Sequence, residues 1–354
     1  MSQESYLRIT LKKNYYNRLP MEKPRLLQEK TTYTIDYPEA VEFANQQMDI
    51  FWHPNEIEVE KDLHDMKTNF TDAEYHGVIT TLKLFTLYEL VVGKEYWSGK
   101  IKRLFPRPDI ERMSNCFSFF ELNVHAPFYN KLNEVLGLNT DEFYNSYVED
   151  SVLFNRINWI NKVIAKPSDN IIDILKSLAV FSMIEGAILY SSFAFLKHFQ
   201  SEGKNKLVNV TAGINFSVRD ENLHSIAGAW LFRTLLAESE LSQEQIEKLN
   251  TDLLETVEHI KEHEDRIIDM IFEKGNIKGI TDHQLKSFIQ HRLDLCLEQL
   301  GFEKHYNPQY NPIKTWFYKN INAPQLHDFF YKIGNSYKRD WNEKGFNWSV
   351  EEAA

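Results

Sequence analysis

Cysteine is nearly missing from this chain. There are two in 354 residues, Cys116 and Cys296, both in helix-patterned stretches. A disulfide framework is therefore not expected, and a reducing compartment, the cytoplasm (a host's, if a virus encodes the chain), fits best. Positive charge is also scarce: 40 Lys and Arg against 51 Asp and Glu leave a net charge of −11. That balance argues against a nucleic-acid-binding surface. Alternating strand patterns are few, and neither repeats nor low-complexity tracts occur. The sequence holds no Gly-rich phosphate loop and no cysteine cluster able to reduce a substrate. Residues 1–30 are polar and charged, without an apolar run followed by a cleavage signal. One apolar stretch, residues 177–196, approaches the ~20 residues of a membrane span. Glu185 lies near its middle, where a carboxylate costs about 2.5–3.5 kcal/mol at the bilayer centre. A buried helix whose one charge has a partner fits better, and no membrane is expected.

The chain does have aromatic residues, 24 Phe and 17 Tyr among them, and long stretches of helical period. The pattern divides into an irregular segment 1–40, a helical domain 41–306 and a tail 307–354. Residues 41–66 begin helical and break at His53-Pro54. Thr71-Asp72-Ala73-Glu74 is a capping box that opens a helix to about Lys100. Asp109 can open the next helix, past Leu136, and a shorter one is expected over 147–166, stopped by Pro167. Asp169 opens the apolar helix through Gln200, and another runs over 208–238. A charged helix over 242–274, closed by Gly275, is expected on the outside, and 282–300 ends at Gly301. The fold class is all-α.

Within this framework the chemistry sits on a few carboxylates and imidazoles. Glu221-Asn222-Leu223-His224 places two metal-ligand types three residues apart on one helix face. Glu121 and His125 are four apart, among Phe117, Phe119, Phe120, Val124 and Phe128. Glu89 shares a stripe with Val78, Leu82, Phe85 and Val92. Glu185 has no basic residue anywhere between Ser177 and Leu196. A bare buried carboxylate is prohibitively costly, so each needs a cation, either a core Arg or Lys or a shared metal. Four Glu and two His from helices that pack together are the ligand set of a di-metal carboxylate centre in a four-helix bundle. Glu60–His64 and Glu255–His259 have similar spacing, but their charged surroundings read as solvated pairs.

From Phe51 onward the chain resembles the radical-generating small subunit of class I ribonucleotide reductase. Phe51-Trp52-His53-Pro54 is similar to the family's Phe-Trp-x-Pro, and Arg219-Asp220-Glu221-x-x-His224 to its fourth ligand helix. The resemblance implies a ferritin-like four-helix bundle with additional helices, and Glu89, Glu121, His125, Glu185, Glu221 and His224 as ligands of two metal ions. Iron is the first expectation for the pair, with di-manganese or manganese–iron as alternatives. It also implies a radical at Tyr129 and long-range transfer through His125, Asp220 and Trp52 to a tail tyrosine, Tyr337. Nucleotide reduction would then occur on a separate large subunit that Trp341, Phe346 and Trp348 anchor, and the small subunit would be a homodimer.

Two departures stand out against the family. Glu89 replaces the usual Asp, and the first Glu/His pair is spaced by four instead of three. With Pro127 unable to donate to the Asn123 carbonyl, a π-bulge near Asn123 is expected to absorb the extra residue. Counting seven from Glu121 gives Phe128 instead of Tyr129, which leaves storage of the oxidising equivalent on the metals as an alternative. The rival readings are a di-metal oxidase or oxygenase acting on a small molecule or lipid, an iron-storage bundle, and a helical scaffold whose buried Glu residues pair with Arg or Lys.

Overall fold

Helix N-caps and chain breakers set most of the element boundaries. The computed structural model describes residues 23–166, 168 and 170–319. Among them there is no strand, only an isolated bridge between Ile277 and Ile280. The Thr71 hydroxyl accepts from Glu74 N and the Glu74 carboxylate accepts from Thr71 N, closing the capping box of the helix Asp72–Val91. That helix continues as a π-helical stretch, Val92–Ile101, and ends at Leu104. Pro108, not Asp109, opens the next helix, Pro108–Phe120, as a proline in its first turn. Asp109 turns inward instead and accepts the backbone N–H groups of Asp36 and Tyr37, both at 3.0 Å.

The helix expected over 147–166 is two helices, Asp141–Glu149 and Ser151–Ala165. Asp150 ends the first and caps the second by accepting from Val152 N and Leu153 N. Asn170 caps the apolar helix Ile171–Met183, which passes through a π turn, Ile184–Ile188, into Tyr190–Lys197. Its residues from 177 to 197 are buried on every side by protein, and no described helix is long and apolar enough to cross a membrane.

The helices that begin at Asp72, Pro108 and Ile171, together with Val208–Glu238, make up a four-helix bundle. The start of Val208–Glu238 is fixed from a distance. Leu207 has φ +52° and no capping side chain, and Asp62 accepts from Val210 N at 2.7 Å and from Asn209 Nδ2 at 2.8 Å. The charged helix Gln243–Ile271 buries Leu249, Leu253, Val257, Ile260, Ile267 and Ile271 against the bundle and leaves its polar face to water. Asp282–Leu300 packs beside it and ends at Gly301, φ +95°.

The described residues ahead of the helix Pro38–Asp49 are irregular apart from a 3-10 turn at Arg25–Leu27, yet they are tied down. Leu26 N and the Tyr37 hydroxyl both donate to the Glu238 carboxylate at 2.7 Å, and Leu26 is fully buried.

Candidate metal centre

Each of the four bundle helices delivers a carboxylate to the same interior point, and two of them depart from α-helical geometry to do so. At Glu121–His125 the chain widens into a π turn, in which Ala126 N donates to Glu121 O, five residues back. The wide turn absorbs the fourth residue of the Glu121–His125 spacing, as the placement of Pro127 led us to expect. Its effect is convergence: His125 Nδ1 lies 3.0 Å from Glu121 Oε2, 3.2 Å from Glu221 Oε1 and 3.7 Å from Glu89 Oε2. Glu185 sits in the second π turn and accepts from Trp97 Nε1 at 2.7 Å. Glu221 and His224 share a regular stretch of the Val208–Glu238 helix. There His224 Nδ1 meets Glu121 Oε1 at 2.7 Å while its Nε2 meets Gln47 Oε1 at 3.1 Å.

The six side chains are all buried, with Glu185 at 2 % exposure and the rest at 0 %. They form two overlapping groups, Glu89–Glu121–His125–Glu221 and Glu121–Glu185–Glu221–His224, with ligand atoms inside each within 4.8 Å of one another. Glu121 and Glu221 belong to both, so these residues could hold two neighbouring cations. Among the described residues no Lys or Arg pairs with any of the four glutamates. Both oxygens of Glu89 and of Glu221, and Oε2 of Glu185, lack hydrogen-bond partners. Buried acceptors left open in this number have one economical explanation, a pair of cations. The donor set of hard carboxylate oxygens with one imidazole per group suits iron or manganese.

The electrostatics of the unliganded cluster agree. Burial, then the neighbouring carboxylates, pushes Glu89 and Glu185 well above the usual carboxylate range and Glu221 up to about 8. Burial opposes charge on His125, but Glu121 and hydrogen bonding with Asp220 outweigh it and raise the imidazole well above its ordinary value. Glu121 is held low against its own burial by the imidazoles of His125 and His224. Protons thus stand in for the positive charge that the site requires.

A polar chain leaves the cluster on the His125 side. His125 Nε2 lies 3.1 Å from Asp220 Oδ2, and Trp52 Nε1 donates to the same oxygen at 2.8 Å. The indole is 2 % exposed and stacks near the imidazole, with ring centroids 6.1 Å apart. Tyr129 and Phe128 go separate ways. Phe128 packs edge-on against Trp52, centroids 5.5 Å apart, and fills the space above Gly213. Tyr129 is fully buried, stacks on Phe85 at 4.4 Å and has Glu89 as its foremost charged neighbour. Its hydroxyl makes no well-aligned hydrogen bond, with Ser217 the adjacent hydroxyl. Burial first, and Glu89 second, keep the phenol protonated.

Trp97 and Gln47, which touch Glu185 and His224, escaped sequence reasoning. A tryptophan in a helix is ordinarily core, and nothing in the sequence ties position 47 to position 224. Tyr337, Trp341, Phe346 and Trp348 lie outside the described residues.

A family model described as "Ribonucleotide reductase, small chain" matches residues 29–312. A probable ribonucleoside-diphosphate reductase small subunit of Invertebrate iridescent virus 3 is 25% identical over 338 residues, spanning 90% of this chain and 88% of its own. The ribonucleoside-diphosphate reductase subunit beta of Halalkalibacterium halodurans is 26% identical over 308 residues, spanning 84% and 85%. Among solved structures, a putative class I ribonucleotide reductase from Bacillus halodurans superposes with TM-score 0.69 at 24% identity, over 78% of this chain and 88% of that one. The dimanganese(II)-NrdF protein of Streptococcus sanguinis superposes with TM-score 0.69 at 20% identity, over 81% and 98%. The fold is thus ferritin-like, and with a family match over most of its length the chain belongs to the ribonucleotide reductase small-chain family and is the small subunit of such an enzyme.

Proposed function

We propose that Glu89, Glu121, His125, Glu185, Glu221 and His224 hold two metal ions, iron first, with di-manganese or manganese–iron pairs as alternatives. We further propose that the oxidising equivalent is stored at Tyr129. The observation that carries this is the pair of overlapping buried ligand groups sharing Glu121 and Glu221, with no Lys or Arg among the described residues paired to their carboxylates. When bound and oxidised by an oxygen species, a redox-active pair would supply an oxidising equivalent able to take one electron from a phenol.

The chain's own residues do the rest. Glu121 and Glu221, common to both groups, would contribute to holding both ions, and Trp97 and Gln47 orient Glu185 and His224. With Nδ1 turned to the carboxylates, His125 keeps its proton on Nε2 and presents it to Asp220. Asp220 thereby joins imidazole and Trp52 indole through a single oxygen, a path by which an electron would reach the buried centre as the oxidising equivalent leaves it. Oxidation of Tyr129 removes one electron together with the hydroxyl proton. Phe85 and Phe193, stacked in series beside it, exclude water and slow the radical's loss.

The radical equivalent passes from Trp52 toward Tyr337 and a large subunit, which reduces ribonucleoside diphosphates. Trp341, Phe346 and Trp348 anchor that partner, in keeping with aromatic hot spots at interfaces. The small subunit acts as a homodimer in the cytoplasm, and its two unpaired cysteines suit a reducing compartment. A small-molecule oxidase would not need the Trp52–Asp220–His125 chain.

Electron paramagnetic resonance on iron- and manganese-reconstituted protein, native and Tyr129→Phe, tests the reading. The expected outcome is two metal equivalents per chain and a tyrosyl signal that vanishes with the substitution. A signal that survives moves the radical elsewhere, and a chain that takes up no stoichiometric metal ends the proposal.

A further inference from the structure

The turn that carries Glu185 is held from behind by two buried guanidinium groups. Arg156 donates from Nη2 to Ile188 O at 2.8 Å, and Arg292 from Nε to Gly186 O at 2.8 Å. A π turn shifts carbonyls out of the regular helical ladder, and buried carbonyls need donors. The two arginines differ in what balances their charge. Arg156 pairs with Glu264 at 2.9 Å, and Ser191 donates to the other oxygen of that carboxylate.

Arg292 is 2 % exposed, and among the described residues no carboxylate pairs with it. It lies instead over the Tyr190 ring, 3.7 Å from the centroid, and donates from Nη1 to the Tyr318 hydroxyl at 3.0 Å. A guanidinium cannot shed its proton, and burying one without a counter-ion is costly. Ordinary core packing would not keep an arginine here.

Tyr318 ends a segment that is itself fastened to the Arg292 helix. Asp294, two residues from Arg292, accepts the backbone N–H groups of His305, Tyr306 and Asn307 at 2.8–2.9 Å. Ser287 donates to Tyr310 O, and Phe317 packs on Phe288 with centroids 4.7 Å apart. On the other side the same helix touches the Glu185 turn without slack: a methyl group on Gly186 would come within 2.5 Å of Cys296 Sγ.

We propose that Arg292 is a positioning residue for Glu185, and that the segment ending at Tyr318 is a strap whose seating reaches the metal-binding turn through it. The chain from ligand to strap is short: Glu185, the Gly186 carbonyl, the Arg292 guanidinium, the Tyr318 hydroxyl. This inference rests on the reading of Glu185 as a ligand.

The test is Mn(II) binding to metal-free full-length protein by equilibrium dialysis, for wild type, Arg292→Met, Tyr318→Phe and the double variant, with circular dichroism and melting of each metal-free chain. Residues that orient metal ligands typically carry about ten- to a hundredfold in affinity, so Arg292→Met should weaken Mn(II) binding at least about tenfold. Tyr318→Phe, which removes one hydroxyl, should weaken it by about threefold or more. The double variant should be no weaker than Arg292→Met alone, because the hydroxyl acts through the guanidinium. Native-like folding with an unchanged isotherm in either single variant overturns the proposal, as does additivity in the double. If Arg292→Met fails to fold, Tyr318→Phe decides the matter alone. Wild type that binds no Mn(II) would overturn the ligand reading itself, an outcome distinct from wild type and variants binding alike.

Discussion

Loading the centre with divalent metal should expel protons, and the structure shows which groups hold them. In the metal-free cluster Glu89, Glu185 and Glu221 are raised by burial and by one another, Glu221 to about 8, and His125 is raised chiefly by Glu121. Glu121 is the cluster carboxylate held low. Raised carboxyl groups and a raised imidazole hold protons that a metal-free cluster keeps and a filled one cannot. Metal binding needs carboxylates and a neutral imidazole, so filling both positions should release more than one proton. By linkage, the slope of log apparent affinity against pH equals the number released. A release of two protons means about a hundredfold gain in affinity per pH unit.

The metal-free fold should show the opposite trend. A group whose folded pKa is raised holds its proton where the unfolded chain has lost it. Its stabilisation is full below the unfolded value and fades as pH climbs through the folded one. For Glu221, moving from 4.5 to about 8, this amounts to at most about 5 kcal/mol. Metal-free protein should then melt at lower temperature at pH 8 than at pH 6, and metal should remove most of that difference. Calorimetric Mn(II) titration in two buffers of different ionisation enthalpy counts the protons directly. Binding of two equivalents at pH 7 with release of less than one proton would refute the electrostatic picture.

Three further outcomes follow from single contacts. Gly213→Ala would place a methyl group 2.2 Å from the Phe128 ring, which Trp52 and Tyr129 hold in place. The expected overpacking cost is about 1–3 kcal/mol, seen as a shift in denaturation midpoint, and an unshifted midpoint would mean that the ring has room to move. Trp52→Phe removes the indole donor to Asp220. It should cost about 1–3 kcal/mol in stability, leave metal content unchanged and abolish turnover with the large subunit; retained turnover would remove Trp52 from the path. Asp62→Ala strips the distant cap from the helix carrying Glu221 and His224, and chemical denaturation should register a loss of about 1–2 kcal/mol.

The sequence by itself determined the helical class, the helix start marked by Thr71–Glu74, the stop at Gly301, and which charges could not face water. Those features are local: a capping side chain reaches three residues, and an apolar stripe shows in a single helix period. Glu185 was legible because no basic residue lies between Ser177 and Leu196 to neutralise it. Even the π turn at Glu121–His125 could be anticipated from the spacing and Pro127.

Only the tertiary structure decided the rest. It split the expected 147–166 helix at Asp150, because a carboxylate that can accept two N–H groups favours a new start over continuation. It brought Trp97 to Glu185, Gln47 to His224 and Arg292 to the Gly186 carbonyl across 88, 177 and 106 residues of chain. Partners so far apart leave no periodic signature, since their meeting depends on how whole helices pack. The same packing turns Tyr129 toward Glu89 and Phe128 toward Trp52, a choice between adjacent residues that spacing alone left open.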